Sequence, residues 1–346
     1  MAPKTRSSKR ARRAWIRWPV ERLLDTRVCD LDLRIEGTPL EARIAQLREE
    51  LAARDLQLPV YFWLSDEWFT PARMIGTAIP FYLAHPRLIR LQRSMGGEVE
   101  GAAHDWCMKI LRHEAGHVVD HAFRLHLKRG KQQLFGLSSK NYPLSYRPNP
   151  YSKRHVQHLY YWYAQAHPDE DFAETFAVWL APRSNWRQRY QGWPALKKLE
   201  YVDALMDELA GRTPLVRSRA RYEPVESLEL TLREYFEHQR GGPTSLYPGL
   251  YDRDLYEVFT PQRGRDRERA TVFVRRVRGE VIQELDRWLG EHRYQLEHVL
   301  QDVIVRCREL GLYVKSSPRQ ARSDLVVMLT KHTMTSLYRQ RRWVQM

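Results

Sequence analysis

The sequence predicts an α+β fold: a small mixed sheet set among helices, followed by a mainly helical, basic C-terminal region. Three observations predict it. Residues 59–64 read Pro-Val-Tyr-Phe-Trp-Leu, the aromatic and β-branched composition of a strand. Residues 102–125 place Trp106, Ile110, His113, His117 and His121 at helical intervals, and residues 168–180 do the same with Phe172, Phe176 and Trp179. Beyond Gly211 and Pro214 the charge density rises and helical patterning continues toward the C-terminus. With 346 residues, 43% of them hydrophobic, the chain can build a sizeable core and about two domains.

The elements follow in order. Residues 1–18 carry Lys4, Arg6, Lys9, Arg10, Arg12, Arg13 and Arg17 and no acid, a run that cannot bury itself and predicts a disordered basic tail. Thr38-Pro39 is a sound N-cap and first-turn pair, opening a helix whose Leu40, Ile44, Leu47 and Leu51 share one face. After the strand at 59–64, a second extended region is expected from Ile75 to Leu91, with Pro80 and Pro86 favouring an edge strand. Gly96-Gly97 breaks the chain before the long helix of residues 102–125. Residues 126–155 are basic and rich in Ser, Pro, Asn and Tyr, including Ser138-Ser139-Lys140-Asn141-Tyr142-Pro143, and read as a loop or lid. Pro168 starts the next helix, with Phe172, Phe176 and Trp179 as its apolar face. Further helices are expected near 185–191, 194–211, 226–240, 268–310 with a break, and 318–341; in the C-terminal region Val272, Val274, Val277, Val281, Leu285 and Trp288 recur as an amphipathic face that reads chiefly as packing. The domain reading is a tail at 1–18, a first domain at 19–211 and a helical basic region at 212–346.

Net charge is +15, and the tail supplies part of it, so an acidic partner or nucleic acid is one expected target and a solvated tail the plainer one. No apolar run approaches the roughly 20 residues of a membrane span, and no signal-peptide pattern follows the basic start. Cys29, Cys107 and Cys307 are scattered without ligand spacing and read as reduced thiols, which makes the cytoplasm the expected compartment.

His113-Glu114-Ala115-Gly116-His117 is an H-E-x-x-H motif within a predicted helix. Residues four apart share a helical face, so both imidazoles can meet one zinc ion. Glu114 lies beside the first of them and can take a proton from water without ligating the metal. Gly116 lets another element approach the helix closely. A catalytic zinc needs a third protein ligand and an open fourth position. Glu170 is the candidate, with Glu174 four residues on and on the same face, placed to hydrogen-bond a ligand histidine. The helix dipole accounts for Asp169 and for Glu170 equally well, but poorly for Glu174, which lies among apolar residues. His121, one turn beyond His117, would complete a triad on one straight helix, which suits tetrahedral zinc badly. It is expected to support the site from outside or to lie on the surface. His167, beside Pro168, reads as a loop histidine before a substrate contact.

The pair His-Glu-Ala-Gly-His (113–117) and Glu-Asp-Phe-Ala-Glu-Thr-Phe-Ala (170–177) resembles gluzincins of the lethal-factor type and, equally, a family of bacterial zinc-binding metallopeptidases. Their H-E-x-G-H helix is followed by a helix reading E-x-F-A-E, in which the first glutamate is the ligand and the second supports the site. That maps onto Glu170 and Glu174. The lethal-factor type also carries an oxyanion tyrosine seven residues before the ligand glutamate, a position that Tyr163 occupies here. It stands in an aromatic run (160–163), so a core role is its alternative. Asp120 completes the common H-E-x-G-H-x-V-D pattern and is expected in a supporting role. The resemblance covers roughly residues 55–210. It implies a zincin-like catalytic domain hydrolysing a peptide bond, with the substrate lying along the 75–91 edge strand. His117 and Glu170 stand further apart than in compact gluzincins, which an inserted lid would explain. Two other readings remain open. One is a nucleic-acid-associated protease of the SprT-like class, which completes its site with a third histidine. The other is a non-catalytic zinc-binding scaffold.

Overall fold

Thr38 accepts a hydrogen bond from the Leu40 amide, and Pro39 occupies the first turn of the helix Pro39–Ala52, where a missing N–H costs nothing. Leu40, Ile44, Leu47 and Leu51 are all buried, as their spacing predicts. The structure is a computed structural model that describes residues 14–96, 99–143, 145–146, 148–240, 252–264, 267–289, 296, 299–300, 303–304, 306–308, 310–340 and 344–345. It divides into two compact units. The first comprises residues 1–91, 99–236 and 343–346; the second comprises residues 92–98 and 237–342. Helix dominates, with few strands and small sheets, which is compatible with a coarse α+β class.

In the first unit, β1 (Tyr61–Ser65) pairs parallel with β2 (Gly76–Pro80), and Tyr61 stands opposite Gly76. A Cβ on Gly76 would meet the Tyr61 ring at 2.4 Å, so the glycine makes room for that ring. The expected edge strand is corrected in two ways. Residues Phe81–Ala84 form a 3-10 turn and Pro86–Gly96 a helix, because Pro86 fills a first helical turn instead of a strand position. β2 also has a neighbour on its other side, where the Ala78 amide donates to Phe69 O at 2.8 Å.

The second expectation that changes is the tail. Residues 1–13 lie outside the described residues, but Ala14–Arg17 form a 3-10 turn and Trp15 is buried. Its indole donates to Leu31 O at 3.0 Å, and the Arg87 guanidinium donates to the carbonyls of Trp15, Ile16 and Trp18. The region read as a lid contains a 3-10 turn, Leu125–Leu127, and a helix, Arg129–Phe135.

Residues 212–236 fall in the first unit, not with the C-terminal helices. Backbone hydrogen bonds hold them there: Val28 N to Leu230 O, Cys29 N to Leu228 O and Leu232 N to Thr26 O. Alternate β1 side chains reach the same stretch, since Tyr61 donates to Ala220 O, Trp63 to Tyr222 O and Ser65 to Glu223 O.

The second unit builds its own core from the helices Asp252–Val258, Ala270–Leu289 and Pro318–Gln340. The first of these was not legible in the sequence. In Ala270–Leu289 the buried face is Phe273, Val274, Val277, Val281 and Leu285, whereas Val272, expected on it, is half exposed. The Trp288 side chain and the break in the long 268–310 segment lie outside what is described. Among the described residues, no helix is long and apolar enough to cross a membrane.

Behind the motif helix His104–Phe123, Asp120 forms a buried ion pair with Lys131, itself fully enclosed, and accepts from the His126 amide at 2.6 Å. Burial alone would raise the Asp120 carboxyl; hydrogen bonding from His126 and the charge on Lys131 outweigh it and hold it down at about 2. A carboxylate lowered in the folded state adds stability above its unfolded value near 4, and that stability is lost as the pH falls through about 2. The contribution is on the order of 2 kcal/mol. Urea unfolding measured from pH 5 to pH 2 should therefore fall more steeply in wild type than in Asp120→Asn; parallel curves would remove Asp120 from the acid limb.

Candidate metal centre

The motif helix His104–Phe123 and the helix Pro168–Leu180 pack along each other. Their contact needs Gly116: a Cβ there would stand 2.8 Å from Ala173 Cα and 3.1 Å from Ala173 O. The close approach that glycine permits brings the two ligand-bearing faces together. His167 caps the second helix, accepting from the Asp169 amide at 3.2 Å through Nδ1. Its Nε2 then carries the proton and donates to Lys140 O at 2.9 Å, so it is an N-cap and not a free loop histidine.

At this contact His113, His117 and Glu170 converge. His113 Nε2 lies 3.0 Å and His117 Nε2 3.2 Å from Glu170 Oε2, and the two nitrogens are 3.1 Å apart. All three donor atoms lie within 4.8 Å of one another, as a shared metal ion requires. A tetrahedron with metal–ligand bonds of about 2.0–2.1 Å has edges of about 3.3 Å, close to the spacing found. Linear hydrogen bonds cannot satisfy such a triangle, because one N–H can point along only one edge. The donor set, two imidazoles and one carboxylate, suits zinc among other divalent transition metals.

The surroundings fix each donor. Glu174 is fully buried on the same helix as Glu170; its Oε1 accepts from His113 Nδ1 at 2.8 Å and its Oε2 from the Leu159 amide at 2.8 Å. With Nδ1 bonded to a carboxylate, the His113 Nε2 lone pair faces the cluster. Burial would lower His113, but its hydrogen bonds to Glu170 and Glu174 prevail and raise it well above the usual histidine value. Glu170 moves the opposite way: burial opposes its charge, and the two histidines hold it well below the usual carboxylate range. Protons and a cation thus compete for the same atoms.

Glu114 is buried and does not join the donor triangle. Its Oε2 accepts from Thr70 Oγ1 at 2.7 Å, and Thr70 lies 2.8 Å from Thr77 Oγ1 on β2. A hydroxyl has one proton, so the order is Thr77 to Thr70 to Glu114. The small sheet thereby sets the carboxylate, while Oε1 has no hydrogen bond among the described residues.

Tyr163 comes to the site: its ring centroid is 5.6 Å from that of His113. Two residues before it, Tyr161 and Trp162, have φ of 61° and 53°, a left-handed conformation costing about 1–2 kcal/mol each in a residue with a side chain. Tyr146 donates to Tyr161 O at 2.9 Å and helps to hold this turn. Burial, then the charge of Glu170, raise the Tyr163 phenol, so it stays protonated and able to donate.

One expectation falls away from the cluster. Both Asp120 oxygens are taken by His126 and Lys131, so Asp120 fastens the segment after the helix instead of touching a ligand histidine. His121 stays outside the triangle, as its place on the same straight helix predicts. Burial and the neighbouring His117 lower it to about 4, and its buried Nδ1 has no hydrogen-bond partner among the described residues. Thr70, Thr77, Tyr142 and the Leu159 amide were missed, since nothing in their local sequence marks them. Tyr142 donates to Glu170 Oε1 at 2.9 Å. In comparisons with family models, curated proteins and solved structures, the chain matches none.

Proposed function

We propose that this chain is a zinc-dependent metallopeptidase in which His113, His117 and Glu170 hold the ion and Glu114 is the general base. The observation that carries the reading is the convergence of three donor atoms, from two helices, beside a glutamate that is not one of them; His113 and Glu170 are buried and His117 is partly so. When bound, zinc supplies Lewis acidity, polarising a carbonyl and making water a nucleophile near neutral pH. The chain does the rest. Glu114 takes the proton of the attacking water on its free oxygen and returns it to the departing amine. Thr70 keeps that carboxylate in place. Tyr163 offers a protonated phenol to the developing oxyanion, a contact worth about 3 kcal/mol in well-studied hydrolases. Glu174 orients His113.

Structural zinc closes its fourth position with a protein ligand. Among the described residues, the group that could hold a metal contains three donors and no fourth, which favours catalysis over a scaffold. The carboxylate as third donor favours the gluzincin reading over the SprT-like one. The substrate is then a protein or peptide.

Elemental analysis of the purified chain and of Glu170→Ala tests the metal, and digestion of a peptide library with and without chelator tests the reaction. About one zinc per wild-type chain is expected, with affinity lowered roughly 100-fold or more in the variant, beyond what loss of a supporting residue costs. Chelator-sensitive cleavage should accompany it. A wild-type chain that stays metal-free after reconstitution with zinc removes the reading.

A further inference from the structure

Glu170 has two carboxylate oxygens, and the structure uses them differently. Oε2 faces the two imidazoles, at 3.0 and 3.2 Å, whereas Oε1 accepts from the Tyr142 phenol at 2.9 Å. Tyr142 is not part of the H-E-x-x-H helix or of the glutamate helix. It arrives from the segment between them, and several contacts hold it. Its ring stacks on His167 with centroids 3.8 Å apart and planes 17° apart. His167 is pinned by the Asp169 amide and by Lys140 O, two residues before Tyr142. Ser138 donates to Asp169, and the buried Lys131 bonds the same carboxylate oxygen at 3.0 Å. Gly136 turns the chain with φ of 105° beside Pro168, where a Cβ would lie 3.2 Å from the proline ring. Such anchoring is more than a half-exposed tyrosine needs for solubility alone.

We infer that Tyr142 restrains Glu170 to one-oxygen coordination of the metal, keeping a coordination position free for water or substrate. The inference rests on the metal reading above. A carboxylate can bind a cation through one oxygen or both, and a second oxygen would take the position that a catalytic site must leave open. The phenol competes for that second oxygen. Tyr142 is therefore a positioning residue: it acts through Glu170 and touches neither the metal nor the substrate.

The test uses the full chain, stripped of metal and titrated with cobalt(II) as a spectroscopic stand-in for zinc, in wild type and Tyr142→Phe. Phenylalanine keeps the stack on His167 and removes only the hydroxyl, and thermal melting of the metal-free proteins checks that the fold is unchanged. Wild type should bind one cobalt with the strong visible bands of a four-coordinate site. Tyr142→Phe should also bind one cobalt, with bands weakened as coordination number rises, and X-ray absorption of the zinc-loaded variant should count an added oxygen neighbour. Superimposable spectra and equal oxygen counts would overturn the role of Tyr142 and leave the metal site standing. A wild type that binds neither cobalt nor zinc overturns both, and the two failures are told apart by the wild-type titration alone.

Discussion

Glu114→Gln should retain about one zinc per chain and lose on the order of 10³-fold in kcat/KM toward the best peptide found. The substitution isolates the chemistry. Glutamine keeps the shape, and its amide oxygen can still accept the Thr70 hydroxyl that now bonds Oε2 at 2.7 Å. What it loses is the ability to take up a proton. Because Glu114 lies outside the donor triangle, metal content has no reason to fall. Kinetics and elemental analysis on the same preparation decide the matter. Retained activity with retained zinc would remove Glu114 as the base, and joint loss of both would show that it serves the metal instead.

The second large effect is expected at Gly116. Its Cβ direction points at the backbone of Ala173, with 2.8 Å to Cα, and backbone cannot swing aside as a long side chain can. Gly116→Val should cost about 3 kcal/mol of unfolding free energy, read by urea denaturation, as overfilling a tight contact does. Gly116→Ala should also destabilise, although alanine in an open helix gains about 1 kcal/mol over glycine. The same change should weaken zinc binding, because separating the helices parts His117 from Glu170, now 3.2 Å apart. An alanine variant as stable as wild type, with full zinc affinity, would show that the helix contact yields without cost.

These two residues also show what the sequence discloses and what it hides. Helical periodicity is local, so the two site helices, their faces and the closeness implied by Gly116 could be read directly. His113, His117 and Glu170 followed from the four-residue repeat and from two short motifs, and the structure brings all three together. Contacts made by loops follow no period. Thr70 reaches Glu114 across 44 residues, and Tyr142 reaches Glu170 across 28, so neither left a local trace. Pro80 and Pro86 were ambiguous for a related reason: proline ends a strand and starts a helix equally well, and tertiary neighbours decide which. Trp15 was assigned to a tail because its flanking arginines dominate composition, whereas its burial depends on Leu31 and Arg87. Asp120 fitted a pattern whose partner, Lys131, lies outside it.

The stretch that β1 holds through Tyr61, Trp63 and Ser65 is gripped by its carbonyls alone. Every residue offers the same carbonyl, so this grip is blind to side-chain identity. Arg217, exposed just before that stretch, makes none of these hydrogen bonds, whereas the charge of Arg219 reaches the Tyr61 phenol. The Arg217 position can be rewritten by evolution or by an engineer, in charge or in size, while the strand beneath stays in register.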